Sequence, residues 1–342
     1  MIEPEPFRFA HDCPADLPDP STGLAAGGLD ASRRAVLLMA YGSVGSLDQV
    51  LTYYTHIRRG SPPPPELLEE LLGRYRAIGG SSPLSGHTER QRAAVEAELR
   101  ARGLDVQVYV GMKHIEPFIG DVVRQMAADG VTHVVAMALA PHFSTMSICS
   151  YCHSVDEGRA AVGAERLTYH IVRDWHAEPR FLDALAVATR EAVDRLPGRA
   201  RGHVVFTAHS LPERILERGD PYRDLLLDTA ALVAKRVGLE DDRSSFAFQS
   251  AGRTADPWLG PDLGEHLRGL AARGVSEVAV CPVGFVSDHL EVLFDIDIEA
   301  QGIAGELGVR LERARSMNDD PTFIRGVADV LERALAREAV PA

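Results

Sequence analysis

The run Ser287-Asp-His-Leu-Glu-Val-Leu-Phe-Asp-Ile-Asp-Ile-Glu299 is the strongest constellation of chemically capable side chains in this sequence of 342 residues. On a helix advancing about 100° per residue, Asp288, Glu291, Asp295 and Glu299 fall within an arc of about 80°. Leu290, Leu293 and Phe294 lie on the other side, where Asp297 is the one acid out of place. Like charges four residues apart repel, and no Lys or Arg occurs between Phe285 and Val309. Most charge runs are solvated faces, here with Asp288 as a helix cap. A narrow acidic stripe on a mostly apolar helix that follows a strand fits a divalent-cation path better, because each carboxylate offsets the cost of shedding hydration.

Other candidates stand at strand ends. Tyr41 closes an apolar run, His142 follows another, and His209 follows Val204-Val-Phe-Thr-Ala208. After His209, Ser210 can cap a helix begun by Leu211-Pro212. An imidazole on such a rigid edge can accept a proton near neutral pH or ligate a transition metal; the plainer alternative is a hydrogen-bonded structural histidine. Arg58 and Arg74 each admit two readings, a cation at the negative end of a helix or an anion clamp for carboxylates. Cys149 and Cys152 form a C-x2-C pair with no second pair, which reads as two reduced thiols and not as a metal site. No glycine-rich phosphate loop of familiar spacing sits beside a strand, and Ser210 lacks a nucleophile-elbow setting. Nucleotide-dependent and serine-hydrolase chemistry are therefore set aside.

These residues need a frame. Apolar runs at 35–41, 106–111, 133–140, 169–172, 203–208, 245–249 and 277–283 read as buried strands, with amphipathic stretches between them, including helices at 46–56 and 65–78. Buried strands separated by helices argue for parallel sheets covered on both faces. A faint repeat appears as well. Ala127-Ala-Asp-Gly-Val-Thr-His-Val134 and Ala271-Ala-Arg-Gly-Val-Ser-Glu-Val278 each lead through a tight glycine into a strand that turns at proline. The expected fold class is α/β, with two similar doubly wound lobes of parallel sheet at 35–170 and 171–315 and a cleft between them. Residues 1–34, rich in Pro, Gly and Asp, read as a mobile extension. Residues 316–342 read as a helix packing across the lobes. Ligands in such sheets bind beyond the carboxyl ends of the strands.

Composition narrows the function. With 36 Lys+Arg against 49 Asp+Glu the formal charge is -13, which argues against nucleic acid and anionic membranes as partners. The sequence shows no run long enough to span a membrane and no export signal, so the expected location is cytoplasmic.

Met39-Ala-Tyr-Gly42, Tyr53-Tyr-Thr-His-Ile-Arg-Arg-Gly60, Lys113-His-Ile-Glu-Pro-Phe118, Ala140-Pro-His-Phe-Ser144, Thr207-Ala-His-Ser-Leu-Pro-Glu213, Asp256-Pro-Trp-Leu-Gly-Pro261 and the stretch 284–297 together resemble ferrochelatase. The likeness is nearest to the soluble branch that uses coproporphyrin III. It implies insertion of Fe²⁺ into a porphyrin held between the lobes, with His209 and Glu291 at the insertion site and Asp295 and Glu299 continuing outward as a metal or proton path. It places Tyr41 on the other porphyrin face, and Arg58, Arg74, Tyr75, Ser82 and Tyr151 around the macrocycle and its propionates. Phe294 departs from the pattern, standing where tyrosine is common. The implied partners are the porphyrin and ferrous iron, with transient handover of haem or iron to another protein. No further cofactor is implied: relatives with a [2Fe–2S] cluster use cysteines near the C-terminus, and this chain has none after Cys281. The alternatives are a protoporphyrin IX enzyme, a cobalt chelatase of another tetrapyrrole, and a haem- or metal-binding protein without turnover.

Overall fold

The computed structural model describes residues 34–163, 166–198, 202–252 and 256–337. The expected N-terminal extension, apart from Arg34, lies outside them. β1 (Arg34–Ala40) is followed by a 3-10 turn at Leu47–Gln49, α1 (Val50–Ile57), α2 (Pro65–Ala77) and α3 (Leu84–Ala101). β2 (Gln107–Met112), α4 (Ile119–Ala128), β3 (His133–Ala138), α5 (Ile148–Val162) and β4 (Thr168–Val172) complete the first half. The second half runs through α6 (Pro179–Asp194), β5 (His203–His209), α7 (Arg214–Glu217), α8 (Tyr222–Val237), β6 (Ser244–Gln249), α9 (Leu263–Ala272) and β7 (Glu277–Cys281). A π-helix (Val292–Ala300), α10 (Gln301–Glu306), β8 (Arg310–Arg313) and α11 (Pro321–Arg337) follow.

The strands form two parallel sheets, ordered β2-β1-β3-β4 and β6-β5-β7-β8. In each, the chain adds a strand on one side of the first and then crosses to the other, so the order reverses between β1 and β3 and again between β5 and β7. Loops leaving such a switch point diverge and leave a crevice at the carboxyl ends. The sequence repeat falls on matching places. α4 leads into β3 through Gly130, and α9 into β7 through Gly274, both with left-handed φ, 81° and 85°. Both close the same way: Val131 N donates to Met126 O at 3.0 Å and Val275 N to Leu270 O at 3.1 Å.

β1 is apolar after Arg34 because both of its faces are covered. Val36 and Leu38 enter a core that also holds Val204 and Phe206 of β5, Leu99 of α3, Phe181 of α6 and Phe323 of α11. Leu37 and Met39 pack the other way, among residues of α4 and α5. The central core is thus shared by the two sheets, and each large apolar side chain buried there contributes about 1.5–3 kcal/mol. The outer face of the second sheet packs on α9 and the π-helix. A smaller cluster of Val44, Val50, Tyr53, Tyr75 and Leu290 ties α1 and α2 to the segment before the π-helix.

Three local expectations are corrected. The helix expected at 46–56 is split into the 3-10 turn and α1. The strand expected at 277–283 stops at Cys281, before Pro282. β8 gave no apolar run to read, because it is a four-residue edge strand, Arg-Leu-Glu-Arg, with only Leu311 buried.

Candidate active site

His209 is the last residue of β5 and Glu291 lies just ahead of the π-helix that follows β7, so both leave the switch point of the second sheet. The next peptide is firmly held: Ser210 N donates to Gln249 O at 2.7 Å, and Ser210 Oγ donates to Leu259 O at 2.7 Å. His209 Nδ1 donates to the Ser210 carbonyl, which leaves Nε2 facing Glu291 Oε1 at 3.6 Å. On the other side of the carboxylate, His289 Nε2 lies 3.5 Å from Glu291 Oε2.

Desolvation opposes the charge on His209, but the Glu291 carboxylate and the hydrogen bonds prevail and raise its pKa to about 9. Glu291 is held well below the usual carboxylate range: burial opposes this, and His209 and His289 outweigh it. At neutral pH the pair is an imidazolium beside a carboxylate.

Asp295 is 5% exposed. It accepts a hydrogen bond from Ser250 Oγ, and its Oδ1 stands 3.7 Å from Arg74 Nη1. Burial and the Glu291 charge raise its pKa to about 6, against the pull of Ser250 and Arg74. Glu299 is exposed further along the helix. The stripe is shorter than four acids and is not without basic partners. Asp288 is drawn away by Arg313 Nη1 (3.0 Å), Ser316 Oγ (2.8 Å) and Asn318 Nδ2 (3.0 Å). Asp297 receives two hydrogen bonds from the same arginine, at 2.6 and 2.9 Å. The helix carrying the acids also closes i→i+5 in place of i→i+4, a local widening frequent at functional sites.

The facing wall leaves the first sheet. Tyr41 stands one residue past β1 with 43% of its surface open. Desolvation, then the Glu291 charge, keeps its phenol protonated. Lys113 Nζ lies 5.6 Å from the centroids of both the Tyr41 and Tyr151 rings and donates to Ser150 Oγ at 2.7 Å. Burial and Arg59 lower its pKa to about 8. The His114 ring is 4.5 Å from that of Tyr41, and its Nδ1 lies 3.0 Å from His56 Nδ1. Lys113, His114, His289 and Ser250 were not read as site residues. Lys113 and His114 sit in a recognisable motif after β2, which was the available signal; Ser250 gave none.

The other expected residues divide. Arg74 reaches Asp295 across the two halves, also pairs with Glu70 (3.3 Å) and lies 5.1 Å over the Phe294 ring. Arg58 is exposed just past α1, 5.9 Å over the Tyr54 ring. Tyr75 has no exposed surface and shares a 2.8 Å hydrogen bond with Ser43. Ser82 is buried, its N–H donating to Val44 O at 3.0 Å. Tyr151 is 5% exposed, under Lys113. Cys152 and Cys281 are free and buried.

Among the described residues no three His, Cys, Asp or Glu side chains converge into a ready-made metal cage. The family model described as Ferrochelatase matches residues 33–335. The chain belongs to the ferrochelatase family. It is 44% identical over 311 residues to the coproporphyrin III ferrochelatase of Geobacillus thermodenitrificans, covering 89% of this chain and 96% of that one. It is 40% identical over 314 residues to the coproporphyrin III ferrochelatase of Bacillus subtilis, covering 90% and 100%. With the ferrochelatase of Deinococcus radiodurans the identity is 42% over 306 residues, 89% and 96% of the two chains. The fold also resembles SirB from Bacillus subtilis with Fe³⁺, at a TM-score of 0.57 and 13% identity over 89% of this chain and 96% of that one. This ferrochelatase-family chain has no helix, among the described residues, long and apolar enough to cross a membrane.

Proposed function

We propose that this chain inserts ferrous iron into coproporphyrin III, with release of the two pyrrole protons. The observation that carries the reading is the His209–Glu291 pair at the switch point of one sheet, with Tyr41 at that of the other. In this reading the macrocycle lies between those walls, flat against Tyr41 and its neighbours. A cleft that fits the bent ring better than the flat one lowers the insertion barrier.

In this reading arriving Fe²⁺ takes the Nε2 lone pair of His209, and the imidazolium proton leaves to water. With Nε2 of His209 then on the metal, the free acceptor for a pyrrole proton is a carboxylate. Glu291 is nearest, and Asp295, with its pKa raised to about 6, passes the proton on towards exposed Glu299. Ferrous iron is a substrate here, and the two pyrrole protons that leave balance its charge.

Coproporphyrin III is favoured by the names of two of the relatives above and by the cations of the cleft. Arg58, Arg74 and Lys113 are available for carboxylates, and charge-assisted hydrogen bonds contribute about 1.5–3 kcal/mol each before desolvation. Arg74 must then leave Asp295 for a propionate. The test is anaerobic Fe²⁺ insertion with coproporphyrin III and protoporphyrin IX in detergent-free buffer, followed by absorbance. Higher kcat/KM with coproporphyrin III is expected. Higher efficiency with protoporphyrin IX would overturn the substrate assignment, and no insertion into either would overturn the activity.

A further inference from the structure

Asp220 sits in the Arg218-Gly-Asp-Pro-Tyr222 turn before α8 and is 6% exposed. Its Oδ2 accepts three hydrogen bonds from the loop that joins β3 to α5: Ser144 Oγ at 3.0 Å, Thr145 N at 2.7 Å and Thr145 Oγ1 at 2.6 Å. Its Oδ1 accepts from Tyr222 N at 3.0 Å. Tyr222 is itself buried, and its hydroxyl donates to the carbonyl of His209 at 3.0 Å.

The peptide between His209 and Ser210 is therefore gripped at both polar ends, its carbonyl by Tyr222 and its N–H by Gln249. That plane holds the backbone from which the imidazole springs, and the bond from Nδ1 to the Ser210 carbonyl then aims the ring. On the opposite side, the Ser144 carbonyl accepts from Ile148 N at 2.9 Å and starts α5, the helix that presents Tyr151. One carboxylate thus joins the Tyr151 wall to the His209 wall.

We propose that Asp220 and Tyr222 are positioning residues that set the gap between the two walls and the aim of His209. The proposal rests on the role given to His209 above. The two side-chain oxygens of Asp220 accept all four hydrogen bonds, and neither has to donate. An asparagine must turn its NH₂ either towards three donors or towards Tyr222 N–H. The smaller loss is the second, so Asp220→Asn keeps the α5 side and releases the His209 side.

The test uses the full chain, with Tyr222→Phe, Asp220→Asn and His209→Ala. It reads Fe²⁺ insertion kinetics, thermal melting, and binding of Co²⁺ alone by its visible absorption. Misplacing a metal ligand by a fraction of an ångström should lower kcat by about tenfold in Tyr222→Phe, with the porphyrin KM within about twofold of wild type. Co²⁺ affinity should fall in parallel while the melting temperature holds. In a His209→Ala background Tyr222→Phe should reduce Co²⁺ affinity no further, because a residue acting through His209 has nothing left to aim. A second loss in that background, or a normal kcat in Tyr222→Phe beside an inactive His209→Ala, would overturn the proposal and leave the role of His209 standing. An active His209→Ala would instead overturn that role. If Asp220→Asn does not fold, Tyr222→Phe, which loses only a hydroxyl, still decides.

Discussion

The first sheet ends at its switch point in protonated phenols around one ammonium, and the second ends in an imidazolium, a carboxylate and a buried acid. The two frames beneath are alike: the same strand order and the same glycine closure ahead of β3 and β7. What differs is carried by the residues just past the strands, where the backbone has left the ladder and side chains can change without disturbing the core. Neutral rings suit the flat face of a macrocycle, and ionised groups suit a cation and protons. A duplicated frame can therefore hold two unlike walls at a fixed separation.

The sharpest way to break this contrast is to remove charge from one wall and polarity from the other. Glu291→Gln should lower kcat for Fe²⁺ insertion by about 10²–10⁴-fold, the range for loss of a positioned proton acceptor. Tyr41→Phe, on the neutral wall, should cost less than about tenfold, since stacking survives without the hydroxyl. Steady-state kinetics with one porphyrin compares them, and equal losses would erase the distinction between the walls.

The next effect is on protons. His209 should stay protonated until about pH 9, and in Glu291→Gln its titration should fall towards the ordinary value of about 6.5. NMR titration of the imidazole reads this directly. The sign for stability follows: a raised pKa adds stability that is complete below about pH 6.5 and vanishes as the pH rises through the folded value. The advantage of wild type over Glu291→Gln in denaturant should thus be lost on passing about pH 9.

A smaller effect is expected across the two walls. Arg74→Ala should reduce the preference for coproporphyrin III over protoporphyrin IX by about ten- to a hundredfold, the value of one charge-assisted hydrogen bond. The ratio of kcat/KM values for the two porphyrins measures it. The same variant should raise the Asp295 pKa further above about 6, because a neighbouring cation is gone.

The smallest effect tests the likeness of the frames. Gly130→Ala and Gly274→Ala should each destabilise the fold by about 1 kcal/mol, the cost of a side chain in left-handed backbone. Urea denaturation should give similar losses for the two. Unequal losses would show that one half relies on its turn more than the other.

Much of this was written locally. Apolar runs such as 35–41, prolines at helix starts and glycines at helix ends mark most of the strands and helices, because burial and backbone freedom act over a few residues. His209 and Glu291 were legible for the same reason: a strand end and a helix start dictate where they stand. Partners were not. The stripe holds no basic residue of its own, yet Arg74 and Arg313, distant in sequence, pair with its acids, because electrostatic attraction depends on separation in space. The cluster formed with Leu290 buries Tyr75. β8 carries too little apolar surface to announce itself, and takes its conformation from β7. The grip of Asp220 on Thr145 and Tyr222 likewise exists only once the two halves share a core. Chain chemistry chose the groups; folding chose which of them meet, because contact energy is set by geometry that no local stretch contains.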